Sequence, residues 1–350
     1  MYPKQALNAI AFCIENKYPI MLKGRPGCAK TSLVEQACKK MNVDLIVSHP
    51  VVSDPTDYKG LPYPTKDGKN ATHLPFGDLL KLINAEKPTV FFLDDLGQSP
   101  MSVQASCMHL LLARYINGHK VSDHVTFVAA TNRREDKAGV MGILEPVKSR
   151  FKTIIDIEIN LDDWVDWAML NNMPMELVSF IRWKPKLLDG FKATADLINT
   201  PSPRTIAHAG MIINQLKNTT LISDKEKELM LSEMIAGAAG QGFSVEYIAY
   251  SKVWNKLPKI EDILKDPKKH PLPSSDKLDV MYALTGYLAS KTDKDNYAKI
   301  GDYMWRMTPE FQVYFLKYIH RLRPELIELT NPTTKKFTMR HVDLLSSLDR

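Results

Sequence analysis

A chain of 350 residues is long enough for two or three domains with a substantial core. Its 44% hydrophobic and 25% charged content is that of an ordinary globular protein, and no apolar run nears the roughly 18 residues a membrane helix needs. The net charge of +6 is mild for this length and permits nucleic-acid contact without requiring it.

The opening Met1-Tyr2-Pro3-Lys4 lacks the layout of a secretory signal. Residues 4–17 predict an amphipathic helix with Ala6, Leu7, Ile10, Ala11 and Ile14 on one face. A short apolar strand at 19–22 is followed by Gly24-Arg25-Pro26-Gly27-Cys28-Ala29-Lys30-Thr31 and a helical stretch at 32–41. Strand, glycine loop and helix form the setting of a phosphate-binding loop, because the first amides of a helix are unpaired and point outward. Gly24, Pro26, Gly27, Cys28, Ala29, Lys30, Thr31 and Ser32 are therefore the candidate cradle for a nucleotide. Lys30 supplies a point charge for the β- and γ-phosphates, and the Thr31 hydroxyl completes a Mg2+ shell. The usual pattern has Gly before the Lys; Ala29 is expected to be tolerated by already sitting in the helix. The competing reading is a Gly/Pro turn carrying a surface lysine. Cys28 is either an incidental small residue or a thiol through which an oxidant would block the loop. With Cys13, Cys38 and Cys107 it shows no metal-ligand spacing and no disulfide framework, which points to a reduced, cytoplasmic setting.

Further β-rich runs follow at 43–47, 89–93, 124–130 and 153–157, with helical stretches at 77–85 and 102–116. Alternation of this kind predicts an α/β fold, a parallel sheet covered by helices on both faces. The run Thr89-Val90-Phe91-Phe92-Leu93 ends in Asp94-Asp95, delivering two acids to the strand edge where open α/β sheets bind ligands. Asp94 is the candidate Mg2+ ligand, and Asp95 the group that polarises the attacking water. Glu is the commoner residue at the second position. Asp is about 1.5 Å shorter, and roughly 1 Å of misplacement can cost about 100-fold in rate, so slow hydrolysis is expected. Two acids capping the next helix would explain the charge but not the apolar strand before them.

Thr126-Phe127-Val128-Ala129-Ala130-Thr131-Asn132 is another buried strand with a polar end, where Asn132 either orients the water or simply forms a turn. Arg150 precedes the last strand, and Arg204 stands at a helix start in Pro201-Ser202-Pro203-Arg204-Thr205. Both suit an oligomeric ATPase by their order in the chain, and both could be plain surface residues. Tyr115 to Val121 reads equally as a β-hairpin or as a helix ending at Gly118.

After 157 the character is helical, at 161–171, 174–183, 204–216 and 224–239. A Pro- and Lys-rich break at 265–273 precedes a last helical portion that includes 311–320. Trp254, Trp305, Tyr314, Phe315 and Tyr318 are read as core, with a nucleic-acid surface as the rival. The expected domains are an αβα nucleotide-binding core at 1–157, an all-α lid at 158–245 and a C-terminal helical extension at 246–350.

From 19 to about 215 the chain resembles AAA+ ATPases of the MoxR branch, a group related to the AAA_5 type. Gly24 to Thr31 match that family's Walker A loop, alanine before the lysine included. Asp94-Asp95 occupy Walker B, followed by Ser99-Pro100 and Val103-Gln104 at the family spacing. Asn132 falls at sensor 1, Arg150 at the arginine finger and Arg204 at sensor 2. The segment from His49-Pro50 to Gly60 is similar to the region after strand 2 that faces the pore in family rings. The resemblance implies ATP/ADP and Mg2+ at subunit interfaces of a homo-oligomer, usually a hexameric ring. Lys30, Thr31, Asp94, Asp95, Asn132 and Arg204 would act from one subunit and Arg150 from its neighbour, with Lys148 and Arg134 as weaker candidates at the same interface. It also implies chaperone-like remodelling of a partner, often a von Willebrand A-domain protein, here a separate chain.

Two other readings stand beside it. One is a DNA-handling AAA+ protein (helicase loader, phage or mobile-element motor), supported by a pI near 8.9. The other is a slow ATP-gated switch, set by Asp95. A metalloenzyme or nucleophilic hydrolase fits poorly, since the nine histidines show no His-Glu-x-x-His spacing and no serine sits in a Gly-x-Ser-x-Gly elbow.

Overall fold

Strands that are apolar at nearly every position end up in the middle of a sheet, and this chain follows that rule. In a computed structural model, which describes residues 1–136, 139–328 and 330–341, the chain divides into two compact units. The first comprises Met1–Asn160 with Phe191–Ala195, the second Leu161–Gly190 with Asp196–Arg350. The end of the expected C-terminal extension, 342–350, lies outside the described residues.

The first unit runs α1 (Pro3–Glu15), β1 (Ile20–Gly24), α2 (Lys30–Met41), β2 (Asp44–Ser48), α3 (Pro55–Lys59), β3 (Leu61–Pro64), β4 (Ala71–Leu74), α4 (Gly77–Ile83), β5 (Thr89–Leu93), α5 (Met101–Ala113), β6 (Tyr115–Ile116), β7 (His119–Lys120), β8 (Val125–Asn132), α6 (Glu145–Lys148) and β9 (Thr153–Ile157). A five-stranded parallel sheet is ordered β2-β5-β8-β1-β9. The expected α/β P-loop NTPase fold of AAA+ type, with its parallel sheet and a helical region after it, is what the structure has.

Burial on both sheet faces explains the run of apolar residues in β5, whose five residues are all buried. Phe91 and Phe127 meet edge-to-face at 6.2 Å on one face with Leu79, Leu82 and Leu110. Phe92, Val128, Leu22 and Val34 fill the other. Each such phenylalanine contributes about 1.5–3 kcal/mol by leaving water. The edge strands β2 and β9 are only partly buried.

One expectation needs correcting, and one hairpin was not foreseen. The helix predicted over 102–116 stops at Ala113, because Arg114 takes a left-handed φ of 48° and its guanidinium bonds the carbonyls of Ser122 (2.7 Å) and Val125 (2.9 Å). The chain then forms the hairpin β6–β7, with Tyr115 opposite Lys120. Asn117 and Gly118, both at positive φ, make the turn that favours hairpins. The strand expected at 124–130, with its polar end at Asn132, spans Val125–Asn132. A second hairpin, β3–β4, went unpredicted; two prolines in β3 hide the strand signal and confine it to an edge. The two hairpins touch, with Asn117 Nδ2 donating to the Lys59 carbonyl (2.8 Å) and His119 Nε2 lying 3.3 Å from that of His73.

The second unit is helical throughout its described residues apart from turns: α7 (Leu161–Leu170), α8 (Met175–Trp183), α9 (Pro203–Asn218), α10 (Asp224–Ala239), α11 (Gln241–Trp254), α12 (Ile260–Lys265), α13 (Leu278–Lys291), α14 (Tyr297–Met304), α15 (Pro309–Leu322) and α16 (Pro332–Arg340). The border expected at 245/246 falls inside α11, so the chain on either side of it is one continuous helix. Phe180 of α8 is ringed by Phe243, Tyr247 and Tyr250 of that helix at 5.3–5.6 Å. Phe315 and Tyr318 are buried as expected, whereas Trp254, Trp305 and Tyr314 are half-buried. Lys336 and Arg340 lie over the Trp305 ring at 4.4 and 4.6 Å. The Pro- and Lys-rich break is pinned rather than loose. Arg306 donates to the carbonyls of Pro267 and His270, and the Tyr303 hydroxyl to that of Pro271.

Candidate functional site

The C-terminal ends of β1, β5 and β8 lie side by side, with Gly24 paired to Asn132 and Leu93 to Ala129. Every expected residue of the phosphate loop and both acids therefore come to one sheet edge. Gly24 is there because nothing larger fits: a Cβ would lie 2.8 Å from Cys28 Sγ and 3.0 Å from the Ile157 carbonyl. Beyond it the loop turns through two left-handed residues, Gly27 (φ 75°) and Ala29 (φ 72°). Ala29 thus stands outside the helix, as its N-cap, and not within it as expected. An L-residue in that conformation costs about 1–2 kcal/mol, which is the physical reason that glycine is the commoner choice. Among the described residues no side chain caps α2, and its first turn carries no acid, so the positive end of the helix dipole meets the loop.

Lys30 is buried, and its Nζ donates to the carbonyls of Gly24 (3.0 Å) and Arg25 (3.1 Å) and to Asn132 Oδ1 (2.7 Å). The Thr31 hydroxyl donates to Asp94 Oδ2 at 2.7 Å, while Asp94 Oδ1 accepts from the Asp95 amide at 3.1 Å. Asp95 has φ 57° and caps a 3-10 turn, Leu96–Gln98. Its Oδ1 accepts from Gln98 Nε2 at 2.8 Å, a partner that was not foreseen although it stands three residues on. Gln104 ties the segment before α6 to this turn, donating to the carbonyls of Ser99 and Gly142 and accepting from the Leu144 amide.

Around the loop, Arg133 grips Asp156 through Nε (3.0 Å) and Nη2 (2.7 Å), with Lys23 on the other carboxylate oxygen at 3.2 Å. Burial alone would raise the Asp156 carboxyl, but the bonds and charges of Arg133 and Lys23 hold it below the usual range. Burial pushes the Cys28 thiol up, against the opposing charges of Lys30 and Arg133.

Neither Arg150 nor Arg134 joins these bonds among the described residues. Arg150 lies just past α6, its Nη1 3.5 Å from the Ser149 hydroxyl and its buried Nε without a partner among the described residues. Lys148 pairs with Glu145, and Arg134 is exposed. Arg204 is exposed on the first turn of α9 in the second unit, where Ser202 and Thr205 form a reciprocal capping box.

The donor set fits a magnesium nucleotide: one hydroxyl and one carboxylate in contact, an ammonium beside the loop, and a helix N-terminus with no side-chain cap. Among the described residues no three His, Cys, Asp or Glu side chains are grouped for a metal. The Thr31 hydroxyl and the Asp94 carboxylate are the oxygen ligands a hard cation takes alongside phosphates. The sheet order and this loop define a P-loop NTPase module. Residues 20–159 match the family model described as AAA, the ATPase family associated with various cellular activities. That span takes in the loop, both acids, Asn132 and Arg150. Comparison with curated proteins gives no match. Among solved structures, a point mutant of Thermotoga maritima RuvB is similar at 16% identity and TM-score 0.41, over 87% of this chain and 86% of that one. A putative ATPase from Cytophaga hutchinsonii is similar at 14% identity and TM-score 0.37, over 68% and 81%. No described helix is long and apolar enough to cross a membrane.

Proposed function

We propose that this chain is a MoxR-like AAA+ ATPase, which couples ATP binding and hydrolysis in a homo-oligomeric, hexameric ring to remodelling of a separate protein partner. The observation that carries the ATPase part is the convergence of three chain-distant segments in two short bonds, Lys30 to Asn132 and Thr31 to Asp94. Bound Mg2+ would screen the charge of the phosphates and favour their transfer to water. Thr31 and Asp94 would hold it. Lys30 would exchange its carbonyl and Asn132 contacts for phosphate oxygens, freeing Asn132 to orient the water. Asp95 would accept the proton of that water, and Gly24 to Ser32 would wrap the phosphates with backbone amides.

Arg150 is assigned to a neighbour's γ-phosphate by its place in the chain, after Walker B and sensor 1 and just before the last strand. Arg204 keeps the sensor 2 role that the resemblance implies, acting from the same subunit as Lys30. A von Willebrand A-domain protein is the partner class that the MoxR resemblance supplies. Four buried, free cysteines are in keeping with a cytoplasmic setting. Steady-state ATP turnover by wild type, Lys30→Ala and Arg150→Ala tests the assignment. Turnover should vanish in the first and fall about 10³-fold or more in the second, with nucleotide binding retained only in the second. Equal turnover in all three would refute it.

A further inference from the structure

Asp95 is one methylene shorter than the glutamate this position usually holds, and the structure places an amide against it. The 3-10 turn Leu96–Gln98 brings residues three apart over one another, so the Gln98 side chain stands over Asp95. Its Nε2 donates to Asp95 Oδ1 at 2.8 Å, and its backbone amide donates to the Asp95 carbonyl at 3.0 Å. An ionised carboxylate only accepts, which fixes the amide with its nitrogen toward Asp95. The turn itself is immobilised. Gly97 packs directly on Thr131 of β8, its carbonyl accepts from the Met141 amide at 3.1 Å, and the Ser99 hydroxyl bonds the Leu96 carbonyl at 2.7 Å.

The other half of the amide argues against a packing role. Gln98 Oε1 is buried without a hydrogen-bond partner among the described residues, a placement that costs stability and that a methionine of the same length would avoid. What the amide adds is one N–H on one oxygen of Asp95. We infer that Gln98 is a positioning residue for Asp95, holding Oδ1 so that Oδ2 faces the attacking water in a fixed direction. A general base oriented by a third group is a recurrent arrangement in catalysis. This inference rests on the hydrolytic reading of the site given above.

The test uses the full chain as wild type, Gln98→Met, Asp95→Asn and the double variant. The measurements are kcat and KM for ATP, calorimetric affinity for a non-hydrolysable ATP analogue with Mg2+, and Tm. Gln98→Met should lower kcat about 10- to 100-fold, the size expected when a reacting group is misplaced by up to about 1 Å. KM, analogue affinity and Tm should stay at wild-type values or, for Tm, rise. In the Asp95→Asn background the same substitution should cost nothing more, because Gln98 acts only through Asp95. Analogue binding by wild type together with unchanged kcat in Gln98→Met, or losses that multiply in the double variant, would overturn the inference alone. Failure of wild type to bind the analogue would overturn both it and the reading beneath it.

Discussion

Gly97→Ala is the substitution whose consequence the structure specifies most closely. An added Cβ would sit 2.2 Å from Thr131 Oγ1, 3.2 Å from Thr131 Cβ and 3.3 Å from Ile143 Cγ1. Ordinary contact begins at 3.4 Å, so the hydroxyl overlap exceeds 1 Å while the other two need shifts of only a few tenths. Thr131 lies in the buried β8 and cannot retreat, so the 3-10 turn must move, and it carries Asp95 and Gln98 with it. Overpacking of this kind costs about 1–3 kcal/mol, and a shift near 1 Å at the reacting group lowers kcat about 100-fold. Thr131→Ala removes the worst contact and leaves the mild ones. Gly97→Ala with Thr131→Ala should therefore recover most of the Tm and turnover lost in Gly97→Ala alone, measured against Thr131→Ala. Wild-type kcat and Tm in Gly97→Ala, or no recovery in the double variant, would refute the reasoning.

Other expectations can be checked with the same assays. Ala29→Gly relieves a left-handed residue worth about 1–2 kcal/mol against an unfolded-state entropy cost of about 0.5–1 kcal/mol, so its Tm should rise slightly; a lower Tm would contradict the φ of 72°. Asp156, held below the usual range by Arg133 and Lys23 despite its burial, stabilises fully above the unfolded pKa of about 3.9 and loses that contribution as pH falls through its folded value. The Tm gap between wild type and Asp156→Asn should thus close on acidification, and a constant gap would count against the ion-pair account. Cys28 is buried with its thiol pushed up, so native protein should react with a thiol reagent at neutral pH far more slowly than denatured protein. Rapid native labelling of Cys28 would show instead that the loop opens.

The legible parts of the site were those where chemistry and local chain order coincide. Lys30 and Thr31 close a short glycine loop that follows an apolar strand, and Asp94-Asp95 follow another, so sequence order alone put them at strand ends. Asn132 was legible for the same reason, as the polar end of the buried strand that begins near Thr126. The conformation of Ala29 was not legible, because alanine favours helix and only the closure of the loop forces it left-handed. Gln98 was missed because a 3-10 turn is too short to leave a periodic signal, although its i+3 spacing from Asp95 was available. In the second unit, α13 buries Met281, Ala283, Leu284, Gly286, Leu288 and Ala289, apolar around much of its circumference, so no single stripe marked it. Arg150 and Arg204 show the remaining limit: their order along the chain carries no information about what they face.

Calorimetric titration of a non-hydrolysable ATP analogue with Mg2+ into the full chain and into Lys30→Ala bears most directly on whether this sheet edge holds a triphosphate. Saturable binding near one site per chain for wild type, lost when the ammonium between Gly24, Arg25 and Asn132 is removed, is the predicted result. Equal heats from both proteins, or none from wild type, would contradict the account.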